Sequence, residues 1–277
     1  MKEQVILTQL SEIQEKLDKI TQLKKTLESR FWDNSEVCHD VNGLPLSNEN
    51  IQKAVERLAD QLIEKHPDAF PTLVGLMDGA HPFFAALHME LTKRHYHFQY
   101  TTMQTTSYEG MQSGALSFTE PKGILTNRLV IIVDDVCDKG KTAEAVKKRL
   151  GDEYPKQVQL MVLVDKKQSR DIEPDFVGFT VSKDAFIIGY GLDFDGLTRN
   201  TDCIKTMNQT MLPTELENEH LKEEKNLCAQ IKTLHKQLKE LREENNKASS
   251  SKPGFFATTE ITPPTDNAVT EQSTFAV

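Results

Sequence analysis

The sequence predicts an α/β fold in which helices flank a parallel β-sheet. Residues 72–77, 129–133 and 158–164 are short, mostly apolar runs, as expected of strands that are buried on both faces. The first two runs are each followed by a polar turn and then by a stretch with helical spacing. This order of strand, loop and helix is typical of a parallel sheet.

Composition and charge limit the classes of protein to consider. The 277 residues carry a net charge of −9 and are 38% hydrophobic, which predicts one substantial globular domain with extra segments. The acidic balance argues against a general nucleic-acid binder, although it leaves a local basic groove open. Four widely separated cysteines predict reduced thiols in a cytoplasmic protein. No run is apolar enough to span a membrane, and no secretory signal opens the sequence.

The first 32 residues predict an added amphipathic helix. Apolar residues recur there at spacings of three and four, with Lys and Glu between them. These positions are Leu10, Ile13, Leu17, Ile20, Leu23 and Leu27. The pattern fits a coiled-coil strand, and it leaves two roles open, a helix packed on its own domain or a dimerisation arm.

The most informative stretch follows the apolar run 129–133. Asp134 and Asp135 come directly after this predicted strand, and a short loop then leads to a helix over residues 143–150. Ligands of parallel sheets bind at the carboxyl ends of strands. A helix N-terminus suits a phosphate, Gly140 allows close backbone approach, and Thr142 adds a hydroxyl donor. The carboxylates suit sugar hydroxyls or a Mg²⁺ ion.

This stretch has two other possible interpretations. A P-loop would need a glycine at position 135, where this sequence has Asp135, so we reject it. The plainer alternative is an ordinary strand–turn–helix with a solvated acidic turn. Two carboxylates at the end of a buried strand and a third at Asp138 argue against that alternative.

Residues 133–142 resemble the phosphoribosyl-pyrophosphate (PRPP) motif of type I phosphoribosyltransferases, and residues 186–194 resemble the signature of their hypoxanthine-guanine branch. The resemblance covers residues 36–205. It implies the type I phosphoribosyltransferase fold, a Rossmann-like parallel sheet flanked by helices with a small hood. In this chain that fold would carry N- and C-terminal helical extensions.

The resemblance also implies roles for the PRPP motif. Asp134 and Asp135 would hold the ribose hydroxyls and Mg²⁺, and Asp138 would take a proton from the purine as catalytic base. The 5′-phosphate would be held by Lys139, Gly140, Lys141 and Thr142.

The turn after residues 72–77 resembles the pyrophosphate loop of the family. The backbone amides of Gly79 and Ala80 would hold pyrophosphate. Asp78 stands where the family usually has a lysine. A carboxylate beside pyrophosphate is unfavourable unless it points away or meets a cation, and His81 can restore part of the missing positive charge.

A polar segment over residues 101–127 has the composition of a functional lid. It resembles the mobile loop of the family, and Ser107 and Tyr108 match the pair that closes over PRPP. Closure would keep water from an oxocarbenium-like transition state. A surface hairpin loop is the alternative.

The purine pocket is predicted from two later segments. By resemblance, Lys166 donates to the purine 6-oxo group, with Lys167 as the alternative. Phe186 stacks on the purine, although a core aromatic is the plain alternative, and the backbone of Ile187 reads the base edge. Two further residues have implied roles: Asp193 binds Mg²⁺ near the purine 2-position, and Arg199 contacts pyrophosphate.

A second heptad pattern predicts a helix over residues 213–247, possibly a coiled coil. Its apolar positions are Leu227, Ile231, Leu234, Leu238 and Leu241. This helix could pair with residues 10–27 or with its copy in another subunit. The Ser-, Thr- and Pro-rich residues 248–277 are expected to be disordered.

Together these observations predict a Mg²⁺-dependent purine salvage transferase. It would join hypoxanthine or guanine to PRPP and release IMP or GMP with pyrophosphate. The alternative is a non-catalytic PRPP-sensing regulator or scaffold on the same fold. We expect a cytoplasmic homo-oligomer, a dimer or tetramer, with no nucleic-acid or membrane partner. The residues do not rank hypoxanthine, guanine and xanthine.

Overall fold

The structure is a computed structural model of the full chain. It describes residues 1–107, 116–121, 123, 125–194, 196–208 and 213–250, with side chains left out at 105–107, 116–117, 215 and 248–250. Tyr108, the side chain of Ser107 and the predicted disordered tail beyond residue 250 therefore lie outside the described part.

Five helices and nine strands are present among the described residues. The helices are α1 (Lys2–Asn34), α2 (Asn48–Lys65), α3 (His81–Lys93), α4 (Lys141–Gly151) and α5 (Glu215–Ser250). The strands are β1 (Glu36–Val37), β2 (Thr72–Met77), β3 (Gln99–Ser107), β4 (Leu116–Phe118), β5 (Leu129–Cys137), β6 (Gln157–Lys167), β7 (Phe176–Ser182), β8 (Ile187–Ile188) and β9 (Lys205–Thr206).

The main sheet has six strands in the order β4-β3-β2-β5-β6-β7. All neighbours pair in parallel except β3 and β4, which pair antiparallel. The parallel sheet expected from the sequence is therefore confirmed, with one added edge strand. Because β2, β5 and β6 are adjacent and parallel, the loops that follow them leave the sheet at the same edge.

Helices cover both faces of this sheet. Successive residues of a strand point to opposite faces, so Leu73 and Ile131 join one buried cluster, while Val74 and Ile132 join another. The first cluster is closed by α2 and α3, and the second is closed by α4. The core is thus a three-layer sandwich, which is why β2 and residues 129–133 of β5 are almost continuously apolar.

Helix α2 shows how local sequence sets these layers. The Ser47 hydroxyl caps its N-terminus by accepting from the Asn50 N–H at 3.4 Å. Its buried face follows a three- and four-residue spacing and consists of Ile51, Ala54, Val55, Leu58, Ala59 and Leu62. The cap fixes where the helix begins, and the apolar stripe fixes which face lies on the sheet.

A second, three-stranded sheet has the order β1-β9-β8. Both of its pairings are antiparallel, with Glu36 opposite Thr206 and Ile187 also opposite Thr206. The chain just after α1 is thereby tied to the segment that follows Phe186. Residues 18–223 form one compact unit that contains both sheets.

Residues 1–17 and the described residues from 224 onward form the other compact unit. Here the beginning of α1 lies antiparallel to the end of α5, and Arg242 Nε is 2.9 Å from the Glu3 carboxylate. Within this one chain the two helices pack on each other, and pairing of either helix with a second copy stays a prediction. Among the described helices, none has the length and apolar character needed to cross a membrane.

Candidate active site

Three loops meet at the carboxyl edge of the main sheet. They follow β2, β5 and β6 and contain the predicted pyrophosphate and phosphate loops, while the acidic pair and Lys166 lie at the ends of β5 and β6 themselves. Strand β5 continues to Cys137, beyond the apolar run, so Asp134 and Asp135 lie in its last extended residues. The strand backbone therefore holds both carboxylates rigidly.

The two carboxylates belong to consecutive residues, and each accepts a hydrogen bond from the backbone N–H of the residue that follows it. Asp134 accepts from the Asp135 N–H at 3.0 Å, and Asp135 accepts from the Val136 N–H at 2.8 Å. Burial raises the pKa of Asp134 well above its usual range, and the charge of Asp135 raises it further. Burial also raises the pKa of Asp135, while hydrogen bonds and the charge of Arg199 oppose that rise. The pair thus favours a ligand that brings positive charge or hydroxyl donors.

A cavity of about 360 Å³ follows the acidic pair and is lined by Asp134 and residues 136–143. Gly140 caps α4 with a left-handed φ of 74°, and a Cβ atom there would lie 2.6 Å from Ile172. The cavity therefore opens onto the N-terminus of α4, where the first amides have no partner within the helix. Lys139 and Lys141 are exposed beside it. Amides, helix dipole and two ammonium groups together suit a phosphate.

Asp138, in the loop after β5, and Lys166, at the end of β6, are brought together by the sheet. Lys166 Nζ lies 3.2 Å from the Asp138 carboxylate, and the Lys166 side chain is only 13% exposed. Gln168 donates to the other Asp138 oxygen. Sequence patterns did not identify Gln168, because its position in a polar turn does not show that its side chain will contact Asp138.

Arg170 supports this pair through the backbone, and sequence patterns did not identify it either. Its side chain is 3% exposed and forms an ion pair with Asp165. One guanidinium nitrogen donates to the main-chain oxygens of Cys137, Asp138 and Lys166, at 3.2, 3.0 and 3.0 Å. A single buried cation therefore links the loop after β5 to the end of β6 and fixes the separation of Asp138 and Lys166.

Gly79 lies between two other parts of the site. A Cβ atom at Gly79 would overlap the Asp135 carboxylate, and a Cβ atom at Gly191 would overlap the Gly79 carbonyl oxygen. Gly191 also has a φ of +97°, which favours glycine. The predicted pyrophosphate loop is thus in direct contact with the acidic pair on one side and the 189–199 loop on the other.

The remaining residues of the pyrophosphate loop are less tightly held. Asp78 is exposed, and its carboxylate lies 3.5 Å from the Gln104 amide nitrogen. The Ala80 N–H donates to the Leu76 carbonyl at 3.2 Å, so this predicted pyrophosphate donor is already engaged. The His81 side chain is exposed at the start of α3. The pyrophosphate roles of Gly79 and Ala80 stay predictions.

Arg199 braces the loop that carries Asp193. It donates to the Gly191 carbonyl at 2.6 Å and forms an ion pair with Asp193 at 2.9 Å. Asp193 also accepts from the Gly196 N–H at 2.7 Å. Within the described residues, no three His, Cys, Asp or Glu side chains cluster closely enough to hold a metal alone. The metal role predicted for Asp193 therefore stays a prediction.

The predicted purine-stacking ring is accessible. Phe186 is 43% exposed, and its ring meets the edge of Phe194 at a centroid distance of 5.9 Å. Ile187 follows in β8 and is 7% exposed. An exposed ring above a buried strand fits a stacking platform better than a core aromatic. Phe194 was not identified from the sequence.

The acidic pair makes a prediction for stability. Replacing Asp134 by Asn keeps an oxygen that accepts from the Asp135 N–H but removes a buried charge. A carboxyl whose pKa is raised in the folded state destabilises the fold fully above that pKa, and the penalty shrinks as pH falls and is gone below the unfolded-state pKa. We expect Asp134→Asn to stabilise the unliganded protein at neutral pH by about 1 kcal/mol, or roughly 2–4 °C in Tm.

Thermal unfolding followed by circular dichroism across a pH series measures this. The gain should shrink toward acidic pH, and the surface variant Asp152→Asn should show no comparable gain. A lower Tm for Asp134→Asn at neutral pH would contradict the prediction.

Comparison with known proteins agrees with this geometry. Residues 46–195 match the family model of the phosphoribosyl transferase domain. Hypoxanthine-guanine phosphoribosyltransferase from Bacillus subtilis (strain 168) is 32% identical over 171 residues, covering 60% of this chain and 93% of that protein. The protein of the same name from Aquifex aeolicus (strain VF5) is 34% identical over 164 residues, covering 57% and 89%.

A solved structure extends the likeness to the fold. The crystal structure of a hypoxanthine phosphoribosyltransferase from Staphylococcus aureus superposes with a TM-score of 0.57 and 26% identity, covering 64% of this chain and 95% of that chain. The family match contains all three loops at the carboxyl edge of the sheet and excludes α1 and α5. The chain belongs to the phosphoribosyltransferase family, in its hypoxanthine-guanine branch.

Proposed function

We propose that the protein transfers the phosphoribosyl group of PRPP to hypoxanthine or guanine and releases pyrophosphate with IMP or GMP. The observation that carries this proposal is the Asp138–Lys166 pair, which lies beside the phosphate cavity at the carboxyl edge of the sheet. Nothing in the described residues favours the non-catalytic alternative.

The pair matches one edge of a 6-oxopurine. O6 and N7 are neighbouring atoms on that edge, so an ammonium and a carboxylate 3.2 Å apart can address both. Lys166 donates to O6 and disfavours the amino group of adenine, which has no acceptor to offer there. Asp138 takes the N7 proton as N9 attacks C1 of the ribose. Phe186 stacks on the base and orients it.

The phosphate cavity and the acidic pair address the other substrate. Amides at the start of α4, with Lys139, Lys141 and Thr142, bind the 5′-phosphate. Asp134 and Asp135 accept from the ribose hydroxyls.

The same two carboxylates also fit a Mg²⁺ site. Their burial leaves negative charge without enough positive partners, and Mg²⁺ is typically held by one or two carboxylates together with substrate phosphates. When bound, Mg²⁺ neutralises charge on the departing pyrophosphate. The charge of Arg199 opposes the rise in the pKa of Asp135, and its closeness to the acidic pair supports a contact with the same leaving group.

We further propose a cytoplasmic homo-oligomer. The four cysteines are unpaired in the structure, in keeping with a reducing compartment. The apolar residues Leu10 and Ile231 are only half-buried, so a second copy could cover them. Analytical ultracentrifugation that finds only monomers at micromolar concentration would contradict the oligomer.

The direct test is formation of IMP from hypoxanthine and PRPP with Mg²⁺, followed by ultraviolet absorbance. We expect turnover with hypoxanthine or guanine and none with adenine, because Lys166 cannot accept from an amino group. A folded protein that binds PRPP but converts no purine would overturn the proposed reaction.

Asp138→Asn isolates the proton transfer. The amide keeps an acceptor for Lys166 but cannot take the N7 proton, so kcat should fall by about 10²–10⁴-fold. PRPP binding measured by titration calorimetry should be spared, since Asp138 is not needed to hold the phosphate. Loss of PRPP binding in this variant, with Asp152→Asn unaffected, would contradict the role of Asp138 as base.

Asp78→Asn tests the unusual pyrophosphate loop. Removing an exposed carboxylate beside a pyrophosphate should lower KM for PRPP about fivefold, which corresponds to about 1 kcal/mol of repulsion in water. The control Asp68→Asn removes the same charge before β2, at the opposite edge of the sheet, and should leave KM unchanged. A higher KM for Asp78→Asn would instead indicate that Asp78 helps to hold the metal.

A further inference from the structure

The end of α1 packs against the segment that carries the purine and pyrophosphate residues. Leu27 and Phe31 are fully buried there, in a cluster separate from the two sheet cores. The other buried members of this cluster are Ile188, Leu197, Met207 and Leu221. The helix that lies outside the family match is therefore part of the wall behind the predicted base pocket.

Three aromatic rings connect α1 to the stacking platform. The centroids of Phe31 and Phe194 are 5.7 Å apart at an interplanar angle of 68°, and those of Phe194 and Phe186 are 5.9 Å apart at 62°. Both are edge-to-face contacts, which have preferred geometries. Phe186 is 43% exposed, so its contact with Phe194 restrains a ring that is otherwise largely open to solvent.

A second connection reaches the pyrophosphate side. The Glu28 carboxylate accepts from the Thr198 N–H at 3.3 Å. Thr198 is fully buried and has a left-handed φ of 72°, an unusual conformation for a threonine. The next residue is Arg199, so the Glu28 contact sets where the Arg199 side chain begins.

We propose that the end of α1 is a positioning element of the active site. Phe31 places Phe186 through Phe194, and Glu28 places Arg199 through Thr198. The inference rests on the proposed function, because it assigns the two contacts to the purine and PRPP sides of that reaction. A loop displaced by even 1 Å can cost much of a catalytic rate, so such supports act on binding constants as well as on stability.

The two connections make opposite kinetic predictions. Phe31→Ala should raise KM for the purine roughly tenfold and leave KM for PRPP within about twofold, because only the stacking ring loses its support. Glu28→Ala should do the reverse. The conservative variants Phe31→Leu and Glu28→Gln keep the apolar contact and the acceptor, so each should stay within about threefold of the wild type.

Ile20→Ala is the matched control. Ile20 is 4% exposed on the same helix but is not a member of the Phe31 cluster, so this variant tests loss of helix packing alone. It should lower Tm without separating the two KM values. If Phe31→Ala and Glu28→Ala raise both KM values equally, or change only Tm as Ile20→Ala does, the proposal is overturned.

Trp32 offers a test that needs neither a variant nor turnover. It is the sole tryptophan of the chain and packs against the same cluster. Lys205 Nζ lies 5.4 Å from the centroid of the Trp32 ring and donates to the Trp32 main-chain oxygen at 3.3 Å. Lys205 pairs in turn with Ile188 of β8. A ligand that moves Phe186 or β8 should therefore alter the environment of Trp32.

We expect saturating IMP to shift the Trp32 fluorescence of the wild-type protein. IMP binding that calorimetry detects but that leaves this emission unchanged would overturn the inference alone. The absence of any IMP binding would count against the proposed function, and the inference would fall with it. The two failures are therefore distinguishable.

Discussion

Two neighbouring carboxylates are held in a half-buried position at the end of the central strand, and much of the site is arranged around them. Asp134 and Asp135 cannot move apart, because both belong to the extended backbone of β5. Two like charges in a poorly solvated place are unfavourable, and Arg199 offsets only part of this. The unliganded protein therefore carries an electrostatic cost, which the proposed Mg²⁺ ion and ribose hydroxyls would lower.

That rigidity extends to the chemistry because the sheet sets the distances between loops. The loops after β5 and β6 lie side by side since their strands are paired in register, with Cys137 opposite Asp165. Arg170 then fixes the two loops with hydrogen bonds to backbone oxygens, which do not depend on rotamers. Asp138 and Lys166 are thus held at a defined separation in the unliganded protein, which is the preorganisation that the proposed proton transfer would need.

The sequence predicted the parts of the structure that depend on local patterns. The apolar run 72–77 coincides with β2. The sequence also assigns Asp138 and Lys166 to one site, and the two side chains lie 3.2 Å apart. Local patterns ended the central strand too early, because the polar residues that prolong β5 carry no apolar signal. Arg170 and Phe31 could not be found in this way. Their roles depend on partners that only the folded chain brings near.

The contact of Gly79 with Asp135 and Gly191 has a consequence for how such a site can change over evolutionary time. Three segments that are far apart in sequence meet there with no room for a single extra carbon atom. A side chain gained at either glycine would be tolerated only if the other two segments moved at the same time. The effect of a substitution at this contact therefore depends on substitutions in the other segments. Changes in substrate preference are more accessible through exposed neighbours, such as Asp78, than through the contact itself.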